Sequence, residues 1–496
     1  MTMPIIESIS LFYPEIILTV TLCAAIIGDL LLNKKNYLVS WIVLAGLAVT
    51  AIFLFLQSGR MESVFNNMVA IDQFGRYFKW LILISGTFIV IFSMKSRELE
   101  NNYSRIGEYY MLITGALLGM FLMVSSTNML LLFLGFELTS ISSYILAGFT
   151  KKLKRSAESS TKYVIYGAVA SGVMLYGISL LAGISGSLNI YEINEFLRTE
   201  EMHPLLLFTS GLMIIVGFGY KIAAVPFHFW APDVYEGSPL TITAFLAVVV
   251  KIAAFAMMIR ILKVSFINTE QAPIWAWEGV RNFPWSNILA AMAILTMLLG
   301  NLAALSQDNL KRLLAYSSIA HAGYILLGLI VMTNEGIAAM MVYLFIYIFM
   351  NLGAFFVIMV VSHKINSVNI NDYKGLGYRA PLIGIGLTVF LVALTGLPPT
   401  AGFIAKLYIF GAAINAGWIW LVIIAGVASI ISLYYYMRIV RNMFLFKPVE
   451  DNAIPMQFNL STYIILIALM IPTLIMGVYF SPLLEWAKSS VKMIGV

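Results

Sequence analysis

Long apolar stretches separated by short polar segments run through the whole sequence. A helix that crosses a bilayer needs about 20 consecutive, mostly apolar residues, and fourteen stretches meet this requirement. They lie at 11–32, 37–57, 74–94, 107–125, 127–149, 161–184, 204–231, 240–263, 285–305, 311–333, 335–362, 380–415, 417–446 and 459–480. Because the connections between them are short, the pattern predicts an all-α polytopic membrane protein that forms a single domain over residues 1–496.

The composition favours the same class of protein. Of the 496 residues, 61% are hydrophobic and only 11% are charged, whereas soluble globular domains carry roughly 25% charged residues. No basic segment precedes the first apolar stretch. We therefore expect that stretch to be retained as a membrane span and not removed as a signal peptide.

The basic residues predict an orientation in the membrane. If the N-terminus is periplasmic, 18 Lys and Arg residues fall in cytoplasmic loops and 8 fall on the opposite side. Cytoplasmic loops are enriched in Lys and Arg, so both termini are predicted to be periplasmic. The basic run at 151–155 is interpreted as a topology anchor at the lipid surface, and no nucleic-acid partner is expected.

The cysteine and histidine content excludes several kinds of cofactor site. Cys23 is the single cysteine, which rules out an iron–sulfur cluster or a Cys-ligated zinc site within this chain. The four histidines show neither metal-ligand spacing nor a haem pattern, and no phosphate-binding or dinucleotide motif is present. We predict that this chain itself binds neither a metal nor a cofactor.

A few charged residues lie inside the predicted spans. Lys79 is in the first turns of its span and is expected to snorkel to the interface. Lys221, Lys251, Lys406 and one carboxylate, Glu137, lie deeper, where each charge costs about 2.5–3.5 kcal/mol on insertion scales. One carboxylate cannot pair with three lysines, so a purely structural role is an incomplete explanation. Since burial favours a neutral lysine and a nearby carboxylate favours a charged one, we interpret these four residues as proton-transfer sites.

Prolines interrupt two of the spans next to these lysines. Lys221 is followed by Pro226, and Lys406 is preceded by Pro398 and Pro399. A proline removes a backbone donor and frees a carbonyl, which protein or water must satisfy inside a membrane. Interrupted helices in corresponding positions of two halves are typical of ion paths in transporters built from inverted repeats.

Other polar residues are candidates for supporting a hydrated proton path. His228 lies seven residues after Lys221, so the two would share a face if the helix were regular. Tyr316, Ser317 and His321 occur together early in another span. A single histidine in a span is also commonly a packed, hydrogen-bonded residue, and this alternative stays open.

Four segments resemble signatures of the antiporter-like subunits of proton-translocating NADH:quinone oxidoreductase, respiratory complex I. They are FELTSISSYILAG at 136–148, PFHFWAPDVYEGSP at 226–239, QDNLKRLLAYSSI at 307–319 and GLPPTAGF at 396–403. The sequence VYEG at 234–237 resembles the N subunit most. Lys406 argues against one sister subunit, which usually has glutamate at the position of Lys406. The resemblance covers about the whole chain.

This resemblance implies an architecture and a set of partners. The fold would contain two inverted five-helix repeats, at 107–263 and 285–446, with helices 7 and 12 broken. The partners would be other membrane-arm subunits, including sister antiporter-like subunits, in the inner membrane of a bacterium. FMN, iron–sulfur clusters and quinone would belong to partner subunits, so this chain would serve the oxidoreductase as a translocase without a redox centre of its own.

The resemblance also implies a role for each buried charge. Glu137 on the fifth helix would pair with Lys221 on the broken seventh. Lys251 would be the connecting lysine of the eighth helix, and Lys406 the lysine of the broken twelfth. Quinone reduction in other subunits would change the electric field that acts on the Glu137–Lys221 interaction. A proton would then pass from Lys221 through Lys251 and water to Lys406. Protons would enter from the cytoplasm and leave to the periplasm.

Two other functions fit the same features. A subunit of a multisubunit sodium/proton antiporter shares the fold and charge pattern but needs no redox partner, so sodium-dependent exchange without an electron donor would identify it. An architectural membrane subunit would use the charges for assembly. Charge-neutral variants that assemble and pump normally would identify that role.

Overall fold

The structure is a computed structural model that describes residues 4–32, 37–100, 106–151, 153–200, 203–268, 278–280, 283–447 and 455–494. Lys34, Lys35, Arg105, Lys152 and Arg281, which contribute to the predicted charge bias, lie outside the described residues. The helices are α1 Ile5–Leu11, α2 Tyr13–Leu32, α3 Tyr37–Leu56, α4 Gln73–Ser93, α5 Arg97–Glu100, α6 Ile106–Ser125, α7 Met129–Ala147, α8 Lys154–Ser185, α9 Ile190–Thr199, α10 Pro204–Ile222, α11 Trp230–Gly237, α12 Leu240–Ser265, α13 Trp285–Leu305, α14 Leu310–Ile330, α15 Asn334–Ile365, α16 Leu376–Arg379, α17 Pro381–Thr395, α18 Ala401–Asn415, α19 Ile419–Leu445, α20 Leu460–Val478 and α21 Ser481–Ser490.

The remaining regular structure is short. Strand β1 (Glu62–Val64) pairs antiparallel with β2 (Val69–Ile71), and β3 (Ile267–Asn268) pairs antiparallel with β4 (Glu278–Gly279). A 3₁₀ turn covers Ile370–Tyr373. Among the described residues, 13 helices are long and apolar enough to cross a membrane. The remaining predicted span, 380–415, which is the twelfth along the chain, is divided into α17 and α18. The prediction of an all-α polytopic fold is confirmed.

The chain folds as two compact units. The first unit comprises Met1–Ala223, Gly237–Trp285 and Ser489–Val496, and the second comprises Ala224–Glu236 and Ser286–Lys488. The first unit contains Lys221 and Lys251, and the second contains Lys406. The repeat boundaries at 107–263 and 285–446 stay a prediction.

Each unit has one long helix that is buried over the whole of its apolar span. Helix α12 in the first unit packs against α4, α6 and α10, and helix α15 in the second packs against α14, α17 and α18. Neither helix has a polar face, because apolar residues occupy all sides, and such helices are stable only inside a larger protein or a membrane. These two helices form the centres around which the functional side chains are placed.

The same loop arrangement occurs once in each unit. Asn128 caps α7 by accepting hydrogen bonds from the backbone N–H groups of the second and third helical residues, and Asn309 caps α14 in the same way. Each also forms an isolated backbone bridge to another asparagine, Asn189 for Asn128 and Asn369 for Asn309. An asparagine cap contributes about 1 kcal/mol to helix stability. The repetition is consistent with an internally duplicated fold.

Candidate proton-transfer sites

Helix α10 ends directly after Lys221. Its C-cap, Ala223, has a left-handed backbone with φ of 56°, and Pro226 follows in a cis peptide bond with Val225. The helix is therefore shorter than the predicted span 204–231, because the backbone leaves the helix at Ala223 and Pro226 cannot supply an N–H that would continue it. Lys221 lies in the last turn, where the helix dipole favours a cation.

Lys221 is held by one face of α7. Its side chain is buried, and its Nζ donates a hydrogen bond to Ser140 Oγ at 2.6 Å. The same ammonium lies 4.5 Å from the centroid of the Phe136 ring. Phe136 and Ser140 are four residues apart, which places them on the same face of the helix.

Glu137 follows Phe136 in α7, but the hydrogen bond from the Lys221 ammonium goes to Ser140 and not to Glu137. It projects from α7 about 100° around the axis from Phe136, as the helical repeat requires. Within the part of the chain that the structure describes, Glu137 Oε1 has no hydrogen-bond partner. Ser140, and not Glu137, therefore supplies the direct contact to Lys221.

Lys251 lies near the middle of α12 and is 1% exposed. Every residue of that helix from Leu240 to Ser265 is buried. The lysine is thus enclosed by protein at the centre of the first unit, as its sequence position predicted.

Two buried ion pairs in the first unit were not identified from the sequence. Arg260 and Asp72 form two contacts, Nη1 to Oδ2 at 2.8 Å and Nη2 to Oδ1 at 2.9 Å, and both side chains are fully buried. Lys79 Nζ lies 2.5 Å from Glu15 Oε1, with both side chains buried. The prediction that Lys79 snorkels to the interface was wrong, because Glu15 satisfies its charge inside the protein.

A signal for these pairs was present in the sequence. All four residues fall at span ends that the predicted topology assigns to the same side of the membrane. Matching acids to bases by membrane depth would therefore have found them, whereas counting charges by loop did not.

Lys406 binds the end of the preceding half-helix. Helix α17 ends at Thr395, and α18 begins at Ala401 after a cis peptide bond between Pro398 and Pro399. Lys406 Nζ donates to the Thr395 carbonyl oxygen at 2.7 Å and to Ser429 Oγ at 2.6 Å. The last carbonyls of a helix lack an intrahelical partner, so the break in the helix creates an acceptor for the ammonium.

Two further features shape the Lys406 site. The ammonium lies 4.6 Å from the centroid of the Tyr324 ring. Gly396, at the end of α17, has φ of 84°, and a Cβ atom built there would lie 2.7 Å from Lys406 Cδ. Glycine is therefore required both by the backbone conformation and by the space that the lysine occupies.

A polar cluster around His321 lies in the same unit. His321 Nδ1 is 2.8 Å from Tyr343 Oη, and its Nε2 is 3.4 Å from Tyr436 Oη. Tyr436 Oη is also hydrogen-bonded to Ser317 Oγ. Of the predicted supporting residues, the structure thus brings Ser317 and His321 together. Tyr316 is half-buried, and its backbone carbonyl faces Gly300.

His228 does not share a helical face with Lys221, because α10 ends between them. The His228 ring is buried and lies 4.4 Å, centroid to centroid, from Phe229. Among the described residues its Nδ1 has no hydrogen-bond partner. The condition for a shared face, a regular helix through this segment, is therefore not met, and His228 is a buried polar side chain beyond the break.

Arg312 joins two of the segments that carry the sequence resemblance. Its Nη1 lies 2.7 Å from Asp233 Oδ1 and 2.9 Å from Glu236 Oε2. Asn309 Nδ2 donates to Glu236 Oε1 at 3.3 Å. These partly exposed contacts fix α11 against the N-terminus of α14 within the second unit.

No group of three or more His, Cys, Asp and Glu side chains that could hold a metal ion was found among the described residues.

Comparison with known proteins places this arrangement in a family. Residues 126–432 match the family described as NADH:quinone oxidoreductase/Mrp antiporter, transmembrane. The chain is similar to NADH-quinone oxidoreductase subunit N 2 of Chloroherpeton thalassium, with 46% identity over 98% of this chain and 95% of that protein. It is 42% identical to subunit N of Chlorobium chlorochromatii, over 99% and 96% of the two chains. A chain of respiratory complex I from Thermus thermophilus superimposes with a TM-score of 0.77 and 31% identity, over 95% of this chain and 98% of that one.

Proposed function

This chain belongs to the NADH:quinone oxidoreductase/Mrp antiporter family, and we propose that it translocates protons as a membrane-arm subunit of an NADH:quinone oxidoreductase. The similarity to N subunits extends over nearly the full length of both partners. Its partners are accordingly the other membrane subunits of such a complex. The redox cofactors of that complex, FMN, iron–sulfur clusters and quinone, are assigned to those partner subunits.

The contrast between two kinds of buried charge supports this proposal. Asp72–Arg260 and Glu15–Lys79 are contact ion pairs, in which each charge has a permanent partner. Lys221 and Lys406 instead donate to neutral oxygen atoms, two serine hydroxyls and a backbone carbonyl. A lysine held this way can lose its proton without breaking a contact ion pair, and buried lysines of this kind serve as proton donors and acceptors.

The proposed mechanism assigns a step to each residue. Quinone reduction in a partner subunit changes the electric field on Glu137 and Lys221, and Lys221 then exchanges its proton. Lys251 in the first unit and Lys406 in the second are the further proton carriers. His228, His321, Tyr316 and Ser317 support hydrated paths to these lysines. Transfer runs from cytoplasm to periplasm, with both chain termini in the periplasm and the chain in a bacterial inner membrane.

Charge-neutral lysine variants test this function. Lys221→Met and Lys406→Met each keep the side-chain length and remove the titrating group. Proteoliposomes containing the assembled complex should translocate fewer protons per NADH oxidised for both variants. Lys162→Met is the matched control, because Lys162 is partly exposed on α8 and pairs with Glu158. An unchanged ratio of protons to NADH in fully assembled Lys221 and Lys406 variants would contradict the proposal.

A further inference from the structure

Helix α12, which carries Lys251, begins without a side-chain cap of its own. Its N-cap residue is Pro239, whose side chain has no atom that could accept a hydrogen bond from the helix. The first N–H groups of an α-helix have no intrahelical acceptor. In α12 they lie in a buried place, since Leu240, Thr241 and Ile242 are at most 2% exposed. An acceptor from another part of the chain is therefore needed.

Glu98 supplies this acceptor. Its Oε2 accepts a hydrogen bond from the backbone N–H of Leu240 at 2.7 Å, although the two residues are 142 positions apart in the sequence. Glu98 lies on α5, a single helical turn whose residue Leu99 is buried. Because Leu99 fixes this turn against the protein, the carboxylate is held at the end of α12.

The charge of Glu98 suits this position. The N-terminus of a helix carries a partial positive charge, so a carboxylate placed there stabilises the helix. Hydrogen bonds from backbone N–H groups to an ionised carboxylate are also stronger than those to a neutral acceptor. Tyr109 on α6 adds a second contact by donating from Oη to Thr241 Oγ1 at 3.3 Å. The first turn of α12 is thus fixed to two other segments of the first unit.

The opposite end of α12 is also fixed by a charged side chain. Arg260 pairs with Asp72 and donates from Nε to the Val124 carbonyl oxygen at 2.7 Å. Lys251 lies 11 residues after Leu240 and 9 residues before Arg260. It therefore lies about 16 Å from the first residue along the helix axis, at a rise of about 1.5 Å per residue.

We propose that Glu98 is a positioning residue for Lys251 and acts by anchoring the first turn of α12. Lys251 is the one polar side chain between Ala244 and Ile259, so directional contacts are concentrated at the two ends of the helix. Without Glu98, the N–H of Leu240 would lose its acceptor, and the first turn would open or shift toward water. This inference rests on the proposed function, in which Lys251 carries protons, and a displacement of about 1 Å can slow a reaction by roughly 100-fold.

Glu98→Ala and Glu98→Gln test the anchor. Alanine removes the acceptor, whereas glutamine keeps a carbonyl oxygen that can accept from the N–H of Leu240. In proteoliposomes of the assembled complex, Glu98→Ala should lower the ratio of protons translocated to NADH oxidised most of the way to the ratio of Lys251→Met. Glu98→Gln should retain most of the wild-type ratio, and an equal loss in both variants would overturn the anchor. Glu100→Ala is the matched control, because Glu100 is exposed on the same turn, and it should keep the wild-type ratio.

Leu240→Pro removes the same hydrogen bond from its donor side. Proline is tolerated at the first position of a helix, and Pro239, with φ of −54° and ψ of 145°, has the extended backbone that suits a residue before proline. Leu240→Ala is the control, because it shortens the side chain but keeps the N–H. Only Leu240→Pro should lower the ratio, and adding Glu98→Ala to it should cause no further loss, since both changes remove one contact. A further loss as large as that of Glu98→Ala alone would refute the anchor.

Hydrogen exchange reports the cap without reference to pumping. In the assembled complex, the amide hydrogens in the first turn of α12 should exchange several-fold faster in Glu98→Ala than in the wild type, because that turn opens more often. Glu98→Gln and Glu100→Ala should exchange at the wild-type rate. Unchanged exchange in Glu98→Ala would show that Glu98 does not hold this turn.

The outcomes distinguish the anchor from the function on which it rests. If Lys251→Met lowers the ratio of protons to NADH but Glu98→Ala and Leu240→Pro do not, the positioning role of Glu98 is overturned while that of Lys251 stands. If Lys251→Met leaves the ratio unchanged, Lys251 is not a proton carrier, and the exchange rates still decide whether Glu98 is the cap. Should Glu98→Ala fail to assemble, the comparison of Leu240→Pro with Leu240→Ala decides the same question.

Discussion

The two lysines beside broken helices are held in different ways. Lys221 lies at the end of its half-helix and contacts Ser140 on α7, and Glu137 lies on the same helix about 100° around its axis from the neighbouring Phe136. Lys406 lies after the break and reaches back to the carbonyl that the break has freed, on Thr395. The helix that Lys221 contacts carries an ionisable carboxylate, Glu137, whereas the described contacts of Lys406 are with neutral groups.

This difference separates two ways to set the protonation of a buried lysine. A nearby carboxylate that is not in direct contact can attract the ammonium more or less strongly when the surrounding electric field changes. Fixed dipoles, such as a helix end and a serine hydroxyl, hold the ammonium at a constant strength that depends on geometry. We therefore expect the first site to respond most to changes of charge and the second to changes of backbone shape.

The largest effect is expected from giving the second site a carboxylate. Ser429→Asp places an acid where the hydroxyl now contacts Lys406 at 2.6 Å. Breaking a buried ion pair costs about 3–5 kcal/mol, so deprotonation of Lys406 should become slower by a factor of roughly 100 or more. NADH-driven proton translocation should fall to the level of Lys406→Met.

Ser429→Asn is the control for this substitution. Asparagine has the shape of aspartate without its charge, so it should retain most of the pumping. Equal loss of pumping in both assembled variants would show that size, and not the added charge, disables the site.

A second, smaller effect is expected from removing the charge at the first site. Glu137→Gln should lower the rate of proton translocation by about tenfold, the factor that corresponds to about 1.4 kcal/mol, because Lys221 loses the attraction that favours its charged form. Glu158→Gln, on the exposed side of α8, should change little. Normal pumping by assembled Glu137→Gln would remove the distinction between the two sites.

The third prediction concerns backbone shape at the second site. Gly396→Ala and Gly417→Ala both place a Cβ on a left-handed residue, with φ of 84° and 83°, and each should destabilise the protein by about 1–2 kcal/mol. A Cβ at 396 would also collide with the Lys406 side chain, whereas nothing lies within 4 Å of one at 417. Only Gly396→Ala should reduce the protons translocated per NADH, and equal ratios would refute the geometric control of Lys406.

Hydrophobicity and proline placement predicted most of the architecture. The apolar stretches correspond to the observed helices, because lipid leaves the backbone few alternatives to a helix. Pro226 and the pair Pro398-Pro399 predicted both breaks, since their effect on a helix is local. The end of α10 at Ile222 was missed because the left-handed turn at Ala223 has no signal of its own in the sequence.

The partners of the buried charges were harder to predict, since they depend on which helices meet. Asp72 and Arg260 are 188 residues apart along the chain, and no local pattern links them. The hydrogen bonds of Asn301 to Tyr324 and Tyr435 join three helices that only the folded chain brings together.

The smallest expected effect concerns the aromatic ring at the first site. Phe136→Leu keeps an apolar side chain beneath the Lys221 ammonium but removes the ring that now lies 4.5 Å away. A desolvated cation–π contact contributes about 1–2 kcal/mol, so the rate of proton translocation should change only a few-fold. Phe133→Leu removes the ring that stacks on Phe136 at 6.5 Å and controls for lost packing. A change from Phe136→Leu as large as that from Glu137→Gln would mean that the ring sets the charge of Lys221 as much as the carboxylate does, and the two lysine sites would then be alike.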